Sequence, residues 1–89
     1  MTTIWKFPLD AEDVIELDMP EGAEALHVST QYGNPCLWAR VDPKAPTEKR
    51  RFRFAGTGHP LTDDVGRHIG SWLMQGGALV FHLFEMVSP

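Results

Sequence analysis

Apolar and polar residues alternate along most of this chain, which is the pattern of β-strands with one face buried and the other in water. In residues 14–19 the apolar Ile15 and Leu17 alternate with the acidic Glu16 and Asp18. The same pattern predicts further strands at residues 3–9, 25–31, 36–41 and 49–55. The chain is therefore predicted to consist mainly of β-strands.

The C-terminal stretch IGSWLMQGGALVFHLFEMV predicts two strands joined at Gly76 and Gly77. Two adjacent glycines tolerate the positive φ angles that a tight two-residue hairpin turn requires. Residues 78–86 are almost continuously apolar, which is typical of a strand covered on both faces. We therefore predict that residues 78–86 form a central strand on which the rest of the core assembles.

Turn signals separate the other predicted strands and help to define the fold class. The Tyr-Gly-Asn-Pro sequence at residues 32–35 predicts an antiparallel hairpin between residues 25–31 and 36–41. No stretch has the period of an amphipathic helix, and at most one helical turn is predicted, near residues 64–69. About six or seven short strands predict an all-β, antiparallel single domain over residues 1–89, with barrel and sandwich both left open.

Composition and charge narrow the classes of function. Cys36 is the single cysteine, so no intrachain disulfide can form, and an intracellular, cytoplasmic setting is expected. The N-terminal residues lack the pattern of a signal peptide, and no apolar run approaches the roughly 20 residues of a membrane span. The net charge of −4 argues against a partner such as long DNA or RNA, whose binding depends on many Lys and Arg contacts.

The charged residues are unevenly distributed along the chain. Acidic residues dominate the first part, at Asp10, Glu12, Asp13, Glu16, Asp18, Glu21 and Glu24. Basic residues gather later, at Lys44, Lys49, Arg50, Arg51 and Arg53. Both groups are typical of solvated outer faces, but the basic group also suits a local site for a small phosphate-bearing ligand.

The loop Gly56, Thr57, Gly58, His59 and Pro60 is the most suggestive local motif. Its two glycines allow close backbone approach and expose N–H groups, and the Thr57 hydroxyl and the His59 ring add donors for an anion. It follows Arg51 and Arg53, which could neutralise a phosphate. It lacks the spacing of a P-loop or a dinucleotide fingerprint, and a plain turn between strands is the simpler interpretation.

Aromatic residues offer a candidate for stacking on a nucleobase. Trp38 lies between Leu37 and Ala39 and beside Arg40, which suits either core packing or a pocket wall. Because aromatic faces stack on bases, often next to arginine, Trp38 or Tyr32 is a candidate for that contact.

No motif predicts a metal site, a cofactor or an enzyme. The four histidines follow no zinc spacing, and His82, inside an apolar strand, is expected to be half-buried and hydrogen-bonded. Cys36 follows a turn proline and is expected to be a small core residue. A nucleotide hydrolase with His59 as general base is a third alternative, but no motif for an activated nucleophile or a metal site supports it.

Five sequence blocks are spread in order over nearly the whole chain: TIWKFPL (residues 3–9), MPEGA (19–23), PCLWARVDP (35–43), GTGHP (56–60) and GGALVFHLFE (76–85). They resemble recurring blocks of a family of short uncharacterised proteins of bacteriophages and prophage-bearing bacteria. The resemblance implies a domain of unknown function and transfers no binding residue. By context, this chain is similar to small phage proteins that sequester nucleotide signals of bacterial immunity.

These observations lead to one expected function and one alternative. The first is a noncatalytic phage or prophage accessory protein that binds a small anionic ligand, such as a cyclic nucleotide, and forms a homo-oligomer. Its expected ligand-binding residues are Trp38, Arg51, Arg53, Gly56, Thr57, Gly58 and His59. The alternative is a protein–protein interaction module that contacts a host protein through the acidic residues 10–24.

Overall fold

Seven β-strands make up the fold in the computed structural model, which describes residues 1–87. In chain order they are β1 (Thr3–Pro8), β2 (Val14–Pro20), β3 (Glu24–Gln31), β4 (Asn34–Val41), β5 (Thr47–Gly56), β6 (Val65–Met74) and β7 (Leu79–Met86). A single 3-10 turn, Gln75–Gly77, joins the last two. All strand pairs are antiparallel, which confirms the all-β prediction.

The strands form two sheets rather than a closed barrel within the described residues. Sheet A has the order β1-β4-β3 and sheet B the order β2-β5-β7-β6. The strands β3 and β6 lie side by side at one edge of the two sheets. Gly70 permits this approach, because a Cβ there would lie 2.8 Å from Cγ1 of Val28.

The hydrophobic core lies between the two sheets and is filled by alternate residues of facing strands. Sheet A contributes Val28, Leu37 and Ala39, and sheet B contributes Phe52 and Leu83, all with at most 1% of their surface exposed. Because strand side chains alternate between faces, the residues next to these in sequence point away from the core. Trp38 and Arg53 therefore belong to the outer faces of sheet A and sheet B respectively.

The predicted central strand is confirmed as an interior strand, because β7 lies between β5 and β6. The expectation that both of its faces are covered holds only in part. Leu83 is buried in the core, whereas Val80 and Phe84, on the outer face, are half-buried. An interior strand thus presents apolar side chains at the outer face of sheet B.

At most one helical turn was predicted near residues 64–69; this segment instead belongs to the strand Val65–Met74, and the 3-10 turn lies at Gln75–Gly77. Two irregularities interrupt its pairing with β7, one between Val65 and His68 and one between His68 and Gly70. The backbone also approaches β7 closely, since a Cβ on Gly66 would lie 2.8 Å from the carbonyl oxygen of Glu85. Gly66 and Gly70 serve close approaches of the strand to its neighbours.

The β6–β7 hairpin was predicted correctly, but its turn is longer than two residues. Gln75, Gly76 and Gly77 all have positive φ, at 53°, 65° and 95°. The glycines adopt this conformation without the penalty that a Cβ would bring, as the sequence suggested. Met74 pairs with Leu79, so the register between β6 and β7 is still the one that a turn centred on Gly76 and Gly77 sets.

A half-buried ion pair closes one end of the core. Arg50 donates from Nε to Oε2 of Glu85 at 2.5 Å and from Nη2 to Oε1 at 3.0 Å, and its Nη1 donates to the Ala23 carbonyl at 2.9 Å. The hydrogen bond with Glu85 raises the pKa of the Arg50 guanidinium above its ordinary value. Arg50 thereby joins β5 and β7 to the start of β3.

Within residues 1–87, none of the structure is a helix of the length and apolarity that a membrane crossing requires.

Candidate functional site

The basic side chains between residues 44 and 53 do not converge on one anion site. Arg50 turns inward to Glu85, while Lys49 lies 2.8 Å from Asp18 on the outer face of sheet B. The hydrogen bond with Asp18 raises the pKa of Lys49. Arg51 stands opposite Glu16 in the β2–β5 register and is half-buried. Neighbouring carboxylates therefore offset much of the positive charge that the sequence places here.

Arg53 holds backbone segments together. Its Nη1 donates to the carbonyls of Asp13 at 3.1 Å and Phe54 at 2.7 Å, and its Nη2 donates to Pro60 at 3.1 Å. Only 11% of its side-chain surface is exposed. These bonds tie the start of β2 and the loop after β5 to the outer face of sheet B. Arg53 therefore positions the loop rather than presenting a free charge.

The loop that follows β5 folds back on itself in a compact turn. The N–H of Gly56 donates to Nδ1 of His59 at 3.1 Å, and the N–H of His59 returns to the Gly56 carbonyl at 3.0 Å. The His59 ring lies so close that a Cβ on Gly56 would be 2.9 Å from its Cε1. Gly58 has a φ of 90° with open space around it. The predicted cluster Gly56, Thr57, Gly58 and His59 is therefore brought together.

A hollow of about 250 Å³ lies between this loop and the outer face of β7. It is lined chiefly by Thr57, Gly58, His59, Leu61, His82 and Phe84. A second hollow of about 520 Å³ lies on the other side of Thr57 and His59 and reaches Leu79 and Phe81. The loop is thus accessible from two sides, with hydroxyl and imidazole groups facing apolar side chains.

A third hollow, of about 440 Å³, is a poor place for an anion. Its lining includes the acidic Glu21, Glu24 and Asp42. The one basic side chain there, Arg40, already pairs with Glu24 at 2.8 Å. An anion in this hollow would meet unfavourable charge, so the loop hollows are the better candidates.

Four side chains on the outer face of sheet B form a continuous hydrogen-bonded chain. Thr57 Oγ1 lies 2.8 Å from His82 Nε2, His82 Nδ1 lies 2.7 Å from Ser71 Oγ, and Ser71 Oγ lies 3.1 Å from His68 Nε2. Thr57 Oγ1 also donates to the Val80 carbonyl at 3.3 Å. This hydrogen-bonded chain of side chains fixes the ring of His82 at the edge of the first hollow. His82 is therefore confirmed as a half-buried, hydrogen-bonded histidine.

The aromatic candidates lie elsewhere in the fold. Trp38 sits on the outer face of sheet A, opposite Lys6 and His27 in the register, with 6.1 Å between its ring and that of His27. Tyr32 is 93% exposed in the β3–β4 turn. The structure therefore does not bring Trp38 or Tyr32 to the loop, and Phe84 is the aromatic ring that lines the hollow instead.

The sequence pattern did not single out Ser71, His68 or Phe84 as site residues. Ser71 and His82 are direct cross-strand neighbours, and His68 pairs with Phe84. Ser71 lies opposite His82 because the turn is centred on Gly76 and Gly77, whereas the place of His68 opposite Phe84 depends on the irregular pairing of β6, which does not follow from alternation alone. The one available signal was a histidine inside the apolar strand β7 with a hydroxyl residue on the preceding strand.

Residues 1–87 contain no cluster of three or more His, Cys, Asp or Glu side chains that could hold a metal ion. Cys36 is buried, as expected for a core residue.

A family model described as "Domain of unknown function (DUF7352)" matches residues 1–89. No curated protein and no solved structure matches the chain.

Proposed function

We propose that this chain, which belongs to the DUF7352 family of unknown function, is a noncatalytic protein that binds a small anionic ligand at the loop after β5. The observation that carries the proposal is the convergence of Thr57, His59 and His82 with the Gly58 backbone around one hollow. Because Nδ1 of His59 accepts the Gly56 N–H, the proton of the neutral ring lies on Nε2. That Nε2–H and the backbone N–H groups of the loop are neutral donors from which phosphate oxygens accept.

The open space around Gly58 favours close approach of a phosphate to the backbone. Nothing lies within 4 Å of the position that a Cβ would take there. A ligand oxygen can therefore approach the main chain without meeting a side chain, which is the usual reason for glycine at an anion-binding loop. Arg53 holds the loop in this shape through the Pro60 carbonyl.

The apolar part of the hollow suits the organic part of a nucleotide. Leu61 and Phe84 line it, and Phe84 lies on an interior strand whose outer face is half-buried. A base stacking on an aromatic ring gains about 1–3 kcal/mol, largely independent of base identity. We therefore assign the stacking contact to Phe84 rather than to Trp38, and place the phosphate at the loop.

The biological setting is the part of the proposal that rests on sequence resemblance. Blocks such as GTGHP at residues 56–60 resemble those of phage and prophage proteins. Sequestration of a nucleotide immune signal in the host cytoplasm, by a homo-oligomer, fits a small single-domain chain with a hollow at the loop after β5. A protein that sequesters a signal in this way needs only to bind it tightly and does not need to convert it.

The alternative, an interaction module that uses the acidic residues 10–24, has less support. Asp18 pairs with Lys49, Glu24 pairs with Arg40, and the Asp13 carboxylate lies 3.6 Å from Arg53. A segment in which part of the acidic charge is paired within the chain is a weaker mimic of a free polyanion.

A thermal-shift screen tests the proposed function. The purified protein is heated with adenosine and guanosine mononucleotides, linear dinucleotides and cyclic dinucleotides, after any co-purified nucleotide has been removed. A ligand at 100 times its dissociation constant adds about 2.7 kcal/mol to stability, and in a domain of this size that raises Tm by roughly 10 °C or more. The absence of a shift with every nucleotide would contradict the proposal and favour the interaction module.

Gly56→Ala is expected to weaken binding of the nucleotide that gives the largest shift by about tenfold. The new Cβ would lie 2.9 Å from His59 Cε1, so the ring must swing away from the hollow. Because a flexible ring end moves at small cost, the unliganded Tm should change little. Calorimetric titration of the variant measures the loss, and His27→Ala on the outer face of sheet A is the matched control. Equal affinity in Gly56→Ala and the parent protein would remove His59 from the site.

A further inference from the structure

We propose that Ser71 is an activated nucleophile that accepts a phosphonyl or acyl group from an activated ester or fluoride. The proposal does not depend on nucleotide binding, because it rests on the hydrogen-bonded chain on the outer face of sheet B. Ser71 is exposed, and its hydroxyl contacts two imidazole rings, those of His82 and His68.

The donors and acceptors of this hydrogen-bonded chain can be assigned by starting from the Val80 backbone carbonyl at its end. The Val80 carbonyl can only accept, so the Thr57 hydroxyl donates to it and accepts from Nε2–H of His82. With its proton on Nε2, the neutral His82 ring has a free electron pair on Nδ1. That pair accepts the Ser71 hydroxyl proton across 2.7 Å.

This arrangement has the relationships of a nucleophile, its base and the group that orients the base. Ser71 Oγ is the nucleophile, His82 Nδ1 is the base, and Thr57 holds the ring and its tautomer. A backbone carbonyl, fixed within β7, anchors the whole chain. The geometry is therefore set by the sheet and not by mobile side chains alone.

His68 completes the surroundings of the Ser71 oxygen. Its Nε2 lies 3.1 Å from Ser71 Oγ, where an Nε2–H can donate to the oxygen. Its ring packs against Phe84 at 5.1 Å, which limits the directions in which it can turn. The same donor can stabilise negative charge that develops on or next to the oxygen as the proton leaves.

The chemical step is a simple substitution at phosphorus when the donor is a fluorophosphonate. Ser71 Oγ forms a bond to phosphorus, the P–F bond breaks, fluoride leaves with the bonding electrons, and the hydroxyl proton passes to His82 Nδ1. The half-buried apolar side chains of Val80 and Phe84 nearby favour donors with an alkyl or aryl group. Because a neutral hydroxyl, not a carboxylate, orients His82, we expect one stoichiometric modification rather than rapid turnover.

The test is labelling of the full chain with an alkyl fluorophosphonate in the absence of nucleotide, followed by intact mass measurement and peptide mapping. One adduct per chain is expected, at Ser71. Ser29 is the internal comparison, because its cross-strand neighbour is Cys36 and not a histidine. Labelling of Ser71 no faster than that of Ser29 would overturn the proposal.

Variants separate an activated serine from one that is merely exposed. His82→Gln keeps a polar side chain but removes the base, and it should slow labelling of Ser71 by roughly 100-fold. Ser71→Ala should abolish the adduct, while His27→Gln, on the outer face of sheet A, should leave the rate unchanged. If His82→Gln unfolds, Thr57→Val replaces it and should also slow labelling. A rate that is the same in folded His82→Gln or Thr57→Val would contradict the role of His82.

Discussion

Glu85→Ala is expected to lower the free energy of unfolding by about 3 kcal/mol. Arg50 and Glu85 are only 17% and 23% exposed, and the pair is bidentate. Removing the carboxylate leaves the Arg50 guanidinium half-buried, with the Ala23 carbonyl at 2.9 Å and the Glu48 carboxylate at 3.6 Å as its partners. The cost is mainly the loss of two charge-assisted hydrogen bonds from a half-buried guanidinium, and urea titration followed by circular dichroism measures it.

Two comparisons make this prediction specific. The double variant Arg50→Met/Glu85→Leu should recover much of the loss, because a well-packed apolar pair removes the stranded charge together with its partner. Asp18→Ala breaks the exposed contact with Lys49 on the same sheet and should have a far smaller effect. If Glu85→Ala were as mild as Asp18→Ala, the ion pair would not hold the end of the core.

Leu83→Ala is expected to lower the free energy of unfolding by about 3 kcal/mol as well, through a different mechanism. Leu83 is fully buried on β7, an interior strand that pairs with both β5 and β6. Truncation loses the transfer free energy of the removed methyl groups and leaves a cavity between two sheets that are held by their neighbours. Thermal and urea unfolding should agree on the size of the loss.

Leu73→Ala is the matched control for Leu83→Ala. Leu73 lies on the adjacent strand β6 and is 61% exposed. Its truncation should change stability by about 0.5 kcal/mol or less. Similar losses in the two variants would mean that β7 is not the strand on which the core is assembled.

Strand content was predictable because most strands have one face in the core. The alternation of Ile15 and Leu17 with Glu16 and Asp18 reflects the packing of β2 against the sandwich interior and its exposed outer face. The apolar run of residues 78–86 marked β7 for a related reason, since an interior strand tolerates apolar residues on both sides. Alternation of apolar and polar residues indicates which face of a strand is buried, and most strands of this fold bury one face in the core.

The first part of β6, near residues 65–69, was not predicted as a strand, because its residue pattern reflects close approach of the backbone to neighbouring strands rather than burial of alternate side chains. Gly66 and Gly70 are places where β6 comes close to the Glu85 carbonyl and to Val28, and the pairing register slips between them. In the sequence, such glycines resemble residues that end a helix or mark a loop. The position of Ser71 opposite His82 follows from a turn centred on Gly76 and Gly77, whereas the position of His68 beside them depends on that slip.

The candidate site was predictable at the loop and not beyond it. Gly56, Thr57, Gly58 and His59 are consecutive, so their proximity needs no tertiary information. Whether Trp38 joins them depends on which sheet β4 enters, and it enters sheet A. The role of Arg53 depended on carbonyls that come close only in the folded chain.

A titration of isotope-labelled protein followed by NMR tests whether the loop after β5 binds an anion. Inorganic phosphate, adenosine monophosphate and a cyclic dinucleotide are added in turn, and the backbone amide and histidine ring signals are recorded. We expect saturable changes at Gly58, His59 and His82 with a nucleotide, while the signals of His27 and Trp38 stay in place. Changes confined to the Trp38 face, or none with any of the three probes, would contradict an anion site at the loop after β5.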